Sequence, residues 1–376
     1  MNVYTLNILI ILLFPVCSYF IKLDYAYKGI RVERDLSNTR ICHIIFFCIL
    51  FFEMAFVGDF LTDILNYYFN FYANYGELDD YSMRTILIMF FKNSSIGWIL
   101  LNVIIKKIFK DYVILLIASS FIVSLGYTIF IKKNSELTWI SMLVLLCGGT
   151  YYLGWNVVRQ SIAASLFCLC FPYLCQGYFF KYCIAVFFIM SFHFSSIVLI
   201  PLYFLLRSKF TLKLGKNFLF ILLIISLLIY FVTPSIFLYI TKYAYTEYQN
   251  GGFGVDYGIS RNTMIKYFLI SGIVIINFRK FNLNNIKERV IYNGTILFFI
   301  FSIMSAKIFM LQRIIHFLMP FLILAYPIII NRSKNKTVAV LAVVTLFLGL
   351  HCNYLIDGNY YFFWNNIFLK WGTRYF

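Results

Sequence analysis

Apolar runs close to twenty residues long follow one another along the chain, at roughly 3–21, 41–58, 112–131, 136–154, 157–176, 182–206, 217–238, 263–278, 290–311, 314–330 and 337–355. A helix of that length rises about 30 Å, the thickness of the hydrocarbon layer. The pattern therefore predicts an all-α, polytopic integral membrane protein with about 10–12 transmembrane helices, arranged as a single membrane domain over 1–376, and it excludes a β-barrel. One run is interrupted. Within 182–206 the polar stretch Ser191-Phe192-His193-Phe194-Ser195-Ser196 separates two apolar halves of about 11 residues, each rising only about 16 Å. That predicts a re-entrant pair of half-helices near His193, which backbone at membrane depth permits only where protein or a polar cavity satisfies it.

Composition agrees with the pattern. The chain is 62% hydrophobic and 21% aromatic, with a mean hydropathy of +0.83, and only 12% charged; a soluble domain is about a quarter charged. The net charge of +17 comes from 32 basic and 15 acidic residues. On a soluble chain that excess would suggest nucleic acid; on a membrane chain it marks the cytoplasmic loops, so the partner it implies is the lipid bilayer and no nucleic acid. Basic residues crowd 22–40, 207–216, 279–289 and 331–336, which the reading puts on the cytoplasmic side. The acidic stretch 59–84 and the Tyr/Gly-rich stretch 239–262 become the outer loops. A re-entrant turn at His193 then puts the Arg159 end of its helix outside and Lys132 and Lys133 inside. That holds if 94–109 is an interfacial helix whose Lys106, Lys107 and Lys110 are exceptions to the rule. The first apolar run has no basic start and no small-residue cleavage site, so it is expected to be retained as a helix. The nine cysteines lie in or at the ends of apolar runs with no C-x-x-C pair, and read as small core residues.

Polar side chains inside the apolar runs carry the candidate chemistry. A charge beside hydrocarbon costs several kcal/mol unless it faces a cavity or a partner. Asn156, Arg159, Gln160 and Ala163 recur at spacings of three and four, which places them on one face of a helix over 157–176. Gln312, Arg313 and His316 do the same at the head of a later helix. A guanidinium at a helix start is a natural grip for a phosphate or diphosphate, through bidentate hydrogen bonds and the orphan amides of the first turn. Two readings stay open for each arginine: an anion site, or a side chain that snorkels to the interface. His193 is a catalytic contact or an interhelical hydrogen bond; the aromatic clusters at 67–75, 239–248 and 360–364 are an interfacial belt or sugar-stacking faces. With neither an Asp-x-Asp motif nor a histidine cluster at ligand spacing, the sequence calls for no metal and no other cofactor.

The order of these features resembles the EpsG-like group of Wzy-type oligosaccharide repeat-unit polymerases. An Asp-x-x-Asn-Tyr element after the second helix is matched by Asp63-Ile64-Leu65-Asn66-Tyr67. An Asn-x-x-Arg-Gln-x-x-Ala element is matched at Asn156, Arg159, Gln160 and Ala163, and a Phe-His-x-Ser element by Phe192-His193-Phe194-Ser195. An Arg-Ile-x-x-Tyr/Phe-Phe element is matched imperfectly by Arg313-Ile314-Ile315-His316-Phe317, with histidine where the group has an aromatic.

The resemblance implies a membrane glycosyltransferase of the bacterial inner (plasma) membrane, working at its periplasmic face on O-antigen, capsule or exopolysaccharide. Donor and acceptor would be undecaprenyl-diphosphate-linked oligosaccharides, and the partners a repeat-unit flippase and a chain-length regulator. Arg159 and Arg313, with Arg261 from the outer loop, would clamp the diphosphate; Asn156, Gln160 and His316 would line the substrate site. The acceptor hydroxyl needs a base: His193, with Asp63 second. Two other classes compete. A membrane-bound O-acyltransferase would use a histidine in an apolar run with an upstream asparagine, which His193 and Asn156 fit, but would not need Arg159. A lipid-linked glycan flippase or transporter would carry repeat symmetry between halves, and no internal repeat is visible.

Overall fold

A computed structural model of the chain describes residues 9–13, 40–55, 62–74, 95–210, 259–308 and 311–356, with isolated positions 82, 88, 224, 228 and 230–232. Most of the expected span over 217–238, nearly all of the span over 3–21, most of the outer loop 239–262 and nearly half of the outer loop 59–84 lie outside those residues. Among the described residues the secondary structure is helical, and the protein is an all-α membrane protein.

The helices are α1 (Arg40–Ala55), α2 (Thr62–Phe69, continued by a π-turn at Asn70–Asn74), α3 (Ile96–Phe109), α4 (Tyr112–Asn134), α5 (Thr138–Cys147), α6 (Thr150–Asn156) and α7 (Val158–Leu169). They continue as α8 (Phe171–Gln176), α9 (Phe179–Met190), a 3-10 turn at Phe194–Val198, α10 (Leu199–Arg207), α11 (Arg261–Ile276), α12 (Ile286–Ser305), α13 (Gln312–Asn331) and α14 (Lys336–Ile356). Two of them, Tyr112–Asn134 and Gln312–Asn331, are long and apolar enough to cross a bilayer by length and composition. Several predicted spans are broken. The run over 136–154 divides at Gly148-Gly149, where Gly149 takes φ +85°, a conformation open to glycine and costly for other residues. The break predicted inside 182–206 is present: α9 stops at Met190, and α10 starts after the 3-10 turn. Residues 62–74, expected as part of an outer loop, are helical.

The chain divides into two units. The first comprises Met1–Tyr173, Phe180–Ile197 and Val344–Phe376. Here α1 and α7 both pack on α4. Ser120 Oγ of α4 donates to the Phe51 carbonyl of α1 at 2.6 Å, and Phe47 and Phe51 meet Phe121 edge-on. On its α7 side α4 carries Gly126, where a Cβ would lie 2.8 Å from the Ser165 carbonyl oxygen. Backbones approach that closely only where a small residue sits at the crossing. With Phe130 against Phe171 further along, α4 and α7 run parallel. Arg159 is therefore level with residues near 119 of α4, about 10 Å in from the Tyr112 end at 1.5 Å per residue, and Lys132 and Lys133 lie at the opposite end.

The second unit comprises Leu174–Phe179 and Val198–Val343, and α11, α12 and α13 form its centre as an up-down-up bundle. The Ile259 amide donates to the Ser305 carbonyl at 3.0 Å, Tyr267 meets Phe298, and Tyr292 Oη donates to the Ile275 carbonyl at 3.1 Å, so α11 and α12 are antiparallel. Gly294 fixes α12 against α13: a Cβ there would lie 2.2 Å from the Phe321 ring. From Ile315 to Ile330 every side chain of α13 is buried, Pro320 and Pro327 included, the signature of a helix surrounded by others.

At one end of this unit the basic loops are tied together. Arg332 grips the Glu288 carboxylate with both terminal nitrogens, Nη2 to Oε1 at 2.7 Å, and donates to the Lys280 carbonyl, while Lys280 Nζ donates to Ser333 Oγ at 2.6 Å. Asn293 Nδ2 donates to the carbonyls of Leu206 and Ser208 at 2.9 and 3.0 Å. Arg207 in turn donates to the carbonyls of Leu174 and Cys175. The loops at 207, 279–289 and 331–336, grouped on one side by their lysines and arginines, thus share one end of the unit.

Candidate functional site

Arg159 stands in the first turn of α7, directly after Val157 leaves the helical backbone with φ −105° and ψ 56°. No side chain caps this end. The elbow between α6 and α7 is tight: a Cβ on Gly154 would lie 2.4 Å from Ser161 Oγ. One correction follows. Asn156 ends α6 instead of sharing a helix face with Arg159, because the break at Val157 resets the helical phase. Gln160 and Ala163 do lie on α7, both buried.

The Arg159 guanidinium carbon lies 5.7 Å from the centroid of the Tyr67 ring, within cation–π range. Tyr67 meets Trp98 edge-on at 5.3 Å. At the start of α3 the amides of Gly97 and Trp98 both point to the Ser191 carbonyl, at 2.7 and 3.4 Å. The approach at 97 is close: a Cβ there would lie 2.4 Å from Ser191 Oγ and 3.1 Å from the Ser191 carbonyl oxygen, so any side chain requires Ser191 to shift. Three segments far apart in sequence, 63–67, 156–163 and 191–196, are thereby joined around the first turn of α3 within the first unit. His193 follows in the turn after α9, half-buried, its amide donating to the Ile189 carbonyl at 3.2 Å and its carbonyl accepting from Ser196 at 3.0 Å. Asp63 lies in the first turn of α2, one turn before Tyr67.

Buried polar atoms collect on these elements. Arg159 Nε, Asn102 Oδ1, Ser119 Oγ, Ser195 Oγ and Ser196 Oγ have no hydrogen-bond partner among the described residues. Each such atom costs about 1–3 kcal/mol, and most buried polar groups are paired. An arginine held by an aromatic face, with its Nε buried and unbonded among the described residues, keeps donor capacity there that a ligand can use.

In the second unit, Arg313 and His316 lie one turn apart at the head of α13, Arg313 half-buried and His316 buried at 6% exposure. Arg261 is the first residue of α11 and exposed, which corrects its assignment to a loop; Ser260 Oγ caps that helix by accepting from the Thr263 amide at 3.2 Å. The sequence reading passed over Gly97, Trp98 and the buried Glu53 of α1, at 3% exposure. A tryptophan and a glycine side by side in an apolar run carry no pattern that separates them from ordinary packing. A lone carboxylate in the apolar run of α1 was a visible signal.

The model of the EpsG family matches residues 40–367, which takes in every one of these residues. This chain belongs to the EpsG family. Neither a curated protein nor a solved structure matches it. As a member of the EpsG family it is a membrane protein of polysaccharide biosynthesis, and the resemblance drawn from its short motifs holds over nearly the whole chain. The segments that carry the resemblance are not independent marks: Tyr67 of the first touches Arg159 of the second, and Ser191, beside the third, anchors the helix that carries Trp98.

Proposed function

We propose that this protein is a glycosyltransferase that polymerises polyprenyl-diphosphate-linked oligosaccharide repeat units at the periplasmic face of the inner membrane. The observation that carries the reading is Arg159: buried at its Nε without a hydrogen-bond partner among the described residues, held over Tyr67, and set in the uncapped first turn of α7. Family membership supports the polysaccharide setting.

In the reaction, the non-reducing-end hydroxyl of one lipid-linked unit attacks the anomeric carbon of a second. The new C–O bond forms as the bond to the diphosphate oxygen breaks, and the hydroxyl proton passes to a base. Undecaprenyl diphosphate departs as the anion. Fixed cations aimed at developing charge are a large catalytic term, and Arg159 is assigned that role, with Asn156 and Gln160 beside it. Within the second unit, taken by itself, Arg261, Arg313 and His316 are assigned to substrate binding. His193 is the base, in a turn tied to α3 by the Ser191 carbonyl; Asp63 is the alternative.

The test is Arg159→Ala and Arg159→Lys, matched for membrane expression, in a strain lacking the chromosomal gene, read as the length ladder of surface polysaccharide. Loss of the ladder in both, with single repeat units still exported, supports bidentate diphosphate binding. An unchanged ladder makes Arg159 a snorkelling structural residue and removes the centre of the reading.

A further inference from the structure

Lys266 belongs to no motif considered above, yet it lies at 9% exposure in an apolar helix. It continues the inward face of α11 formed by Tyr267, Ile270, Ser271, Val274 and Ile275, the face packed on α12 and α13. The contacts of α11 and α12, Ile259 with Ser305 and Phe268 with Phe299, set Lys266 level with Phe299. Packing of Gly294 against Phe321 sets Phe299 level with His316. Lys266, His316 and Arg313 therefore occupy one end of the bundle, with Arg261 a turn and a half above Lys266 on the same helix and Lys307 just past the end of α12. The stretches 259–276, 290–308 and 311–330 that build this end carry Arg261, Lys266, Lys307 and Arg313 and no acidic residue. The Lys266 amine is itself buried, at the end of a four-methylene stem of the kind that lies along an apolar helix face. Ionisable groups inside membrane helices are rare and mark ligand sites. The basic loops stand at the opposite end of the same unit, so this cluster is separate from the charge that orients the chain.

We propose that Lys266, with Arg261 and Arg313, forms a binding layer for the diphosphate of a polyprenyl-linked substrate. The inference deepens the polymerase reading and rests on it for the identity of the lipid. A lysine supplies a compact point charge and an arginine a flat fork; together they match a group with two linked phosphates better than either does alone.

The test uses the full-length protein in detergent and farnesyl diphosphate as the probe. Modification of the exposed Arg261 of this layer by phenylglyoxal, followed by mass spectrometry, should slow at least about fivefold when farnesyl diphosphate is added, and should not change with farnesol or with phosphatidylglycerol. In parallel, Lys266→Met should weaken farnesyl diphosphate binding at least about tenfold, while Lys266→Arg stays within about threefold. Absence of protection in the unmodified protein overturns the proposal, and so does equal protection by phosphatidylglycerol, which would make the layer a general lipid-phosphate contact. The footprint needs no variant, so a misfolded Lys266→Met leaves it decisive. The polymerase reading fails separately, through a deletion strain that keeps its polysaccharide ladder.

Discussion

Gly97 and Ser191 are in backbone contact, the amide of one donating to the carbonyl of the other at 2.7 Å, and a Cβ on the glycine would lie 2.4 Å from Ser191 Oγ. This contact joins the helix that holds Trp98, and through it Tyr67 and Arg159, to the turn that holds His193. Gly97→Ala should displace one against the other at an overpacking cost of about 1–3 kcal/mol. Polymer output should fall more than membrane expression. Adding Ser191→Ala removes the Oγ that the new methyl meets, so the double variant should recover part of the loss, a coupling measurable as a double-mutant cycle on thermal stability.

Tyr67 serves Arg159 through its ring face. Tyr67→Phe should keep close to full activity, whereas Tyr67→Leu should lose about 0.5–2 kcal/mol of guanidinium positioning, a few-fold to about thirtyfold in rate. Initial rates on a purified lipid-linked repeat unit would separate the two; equal loss in both would assign Tyr67 a hydroxyl role instead.

Gly294 should tolerate no side chain. Gly294→Ala drives a methyl into the Phe321 ring and should destabilise the second unit by about 1–3 kcal/mol, seen as a lower melting temperature in detergent. Phe321→Leu in the same chain should restore part of it.

Orientation can be read from thiol labelling. A membrane-impermeant maleimide applied to spheroplasts should label Lys107→Cys above the parent's background and leave Lys334→Cys unlabelled until the membrane is opened. The reverse pattern would turn the active face to the cytoplasm.

The apolar runs were legible because transfer free energy accumulates residue by residue along a segment, and the expected spans over 112–131 and 314–330 became α4 and α13. Their interruptions were less so. The polar stretch at 191–196 announced its break, but Gly148-Gly149 did not, since the break comes from a positive φ that hydropathy cannot register. The spacing misassigns Asn156 for the same reason: recurrence at three and four assumes a continuous helical phase, and Val157 ends it. At the site, Arg159 was conspicuous as a charge in an apolar setting. Trp98 and Gly97 were not, because their roles depend on contacts with Tyr67 and Ser191, which lie far away in sequence.

Asn293 gives the chain an assembly order. The carbonyls it satisfies at the end of α10 lie 85 and 87 residues earlier, so they emerge from the ribosome long before their donor does. At about 5–20 residues per second that interval is roughly 4–17 s. During synthesis the end of α10 must be kept at the polar surface of the bilayer, or held by the insertion machinery, until α12 arrives to close it.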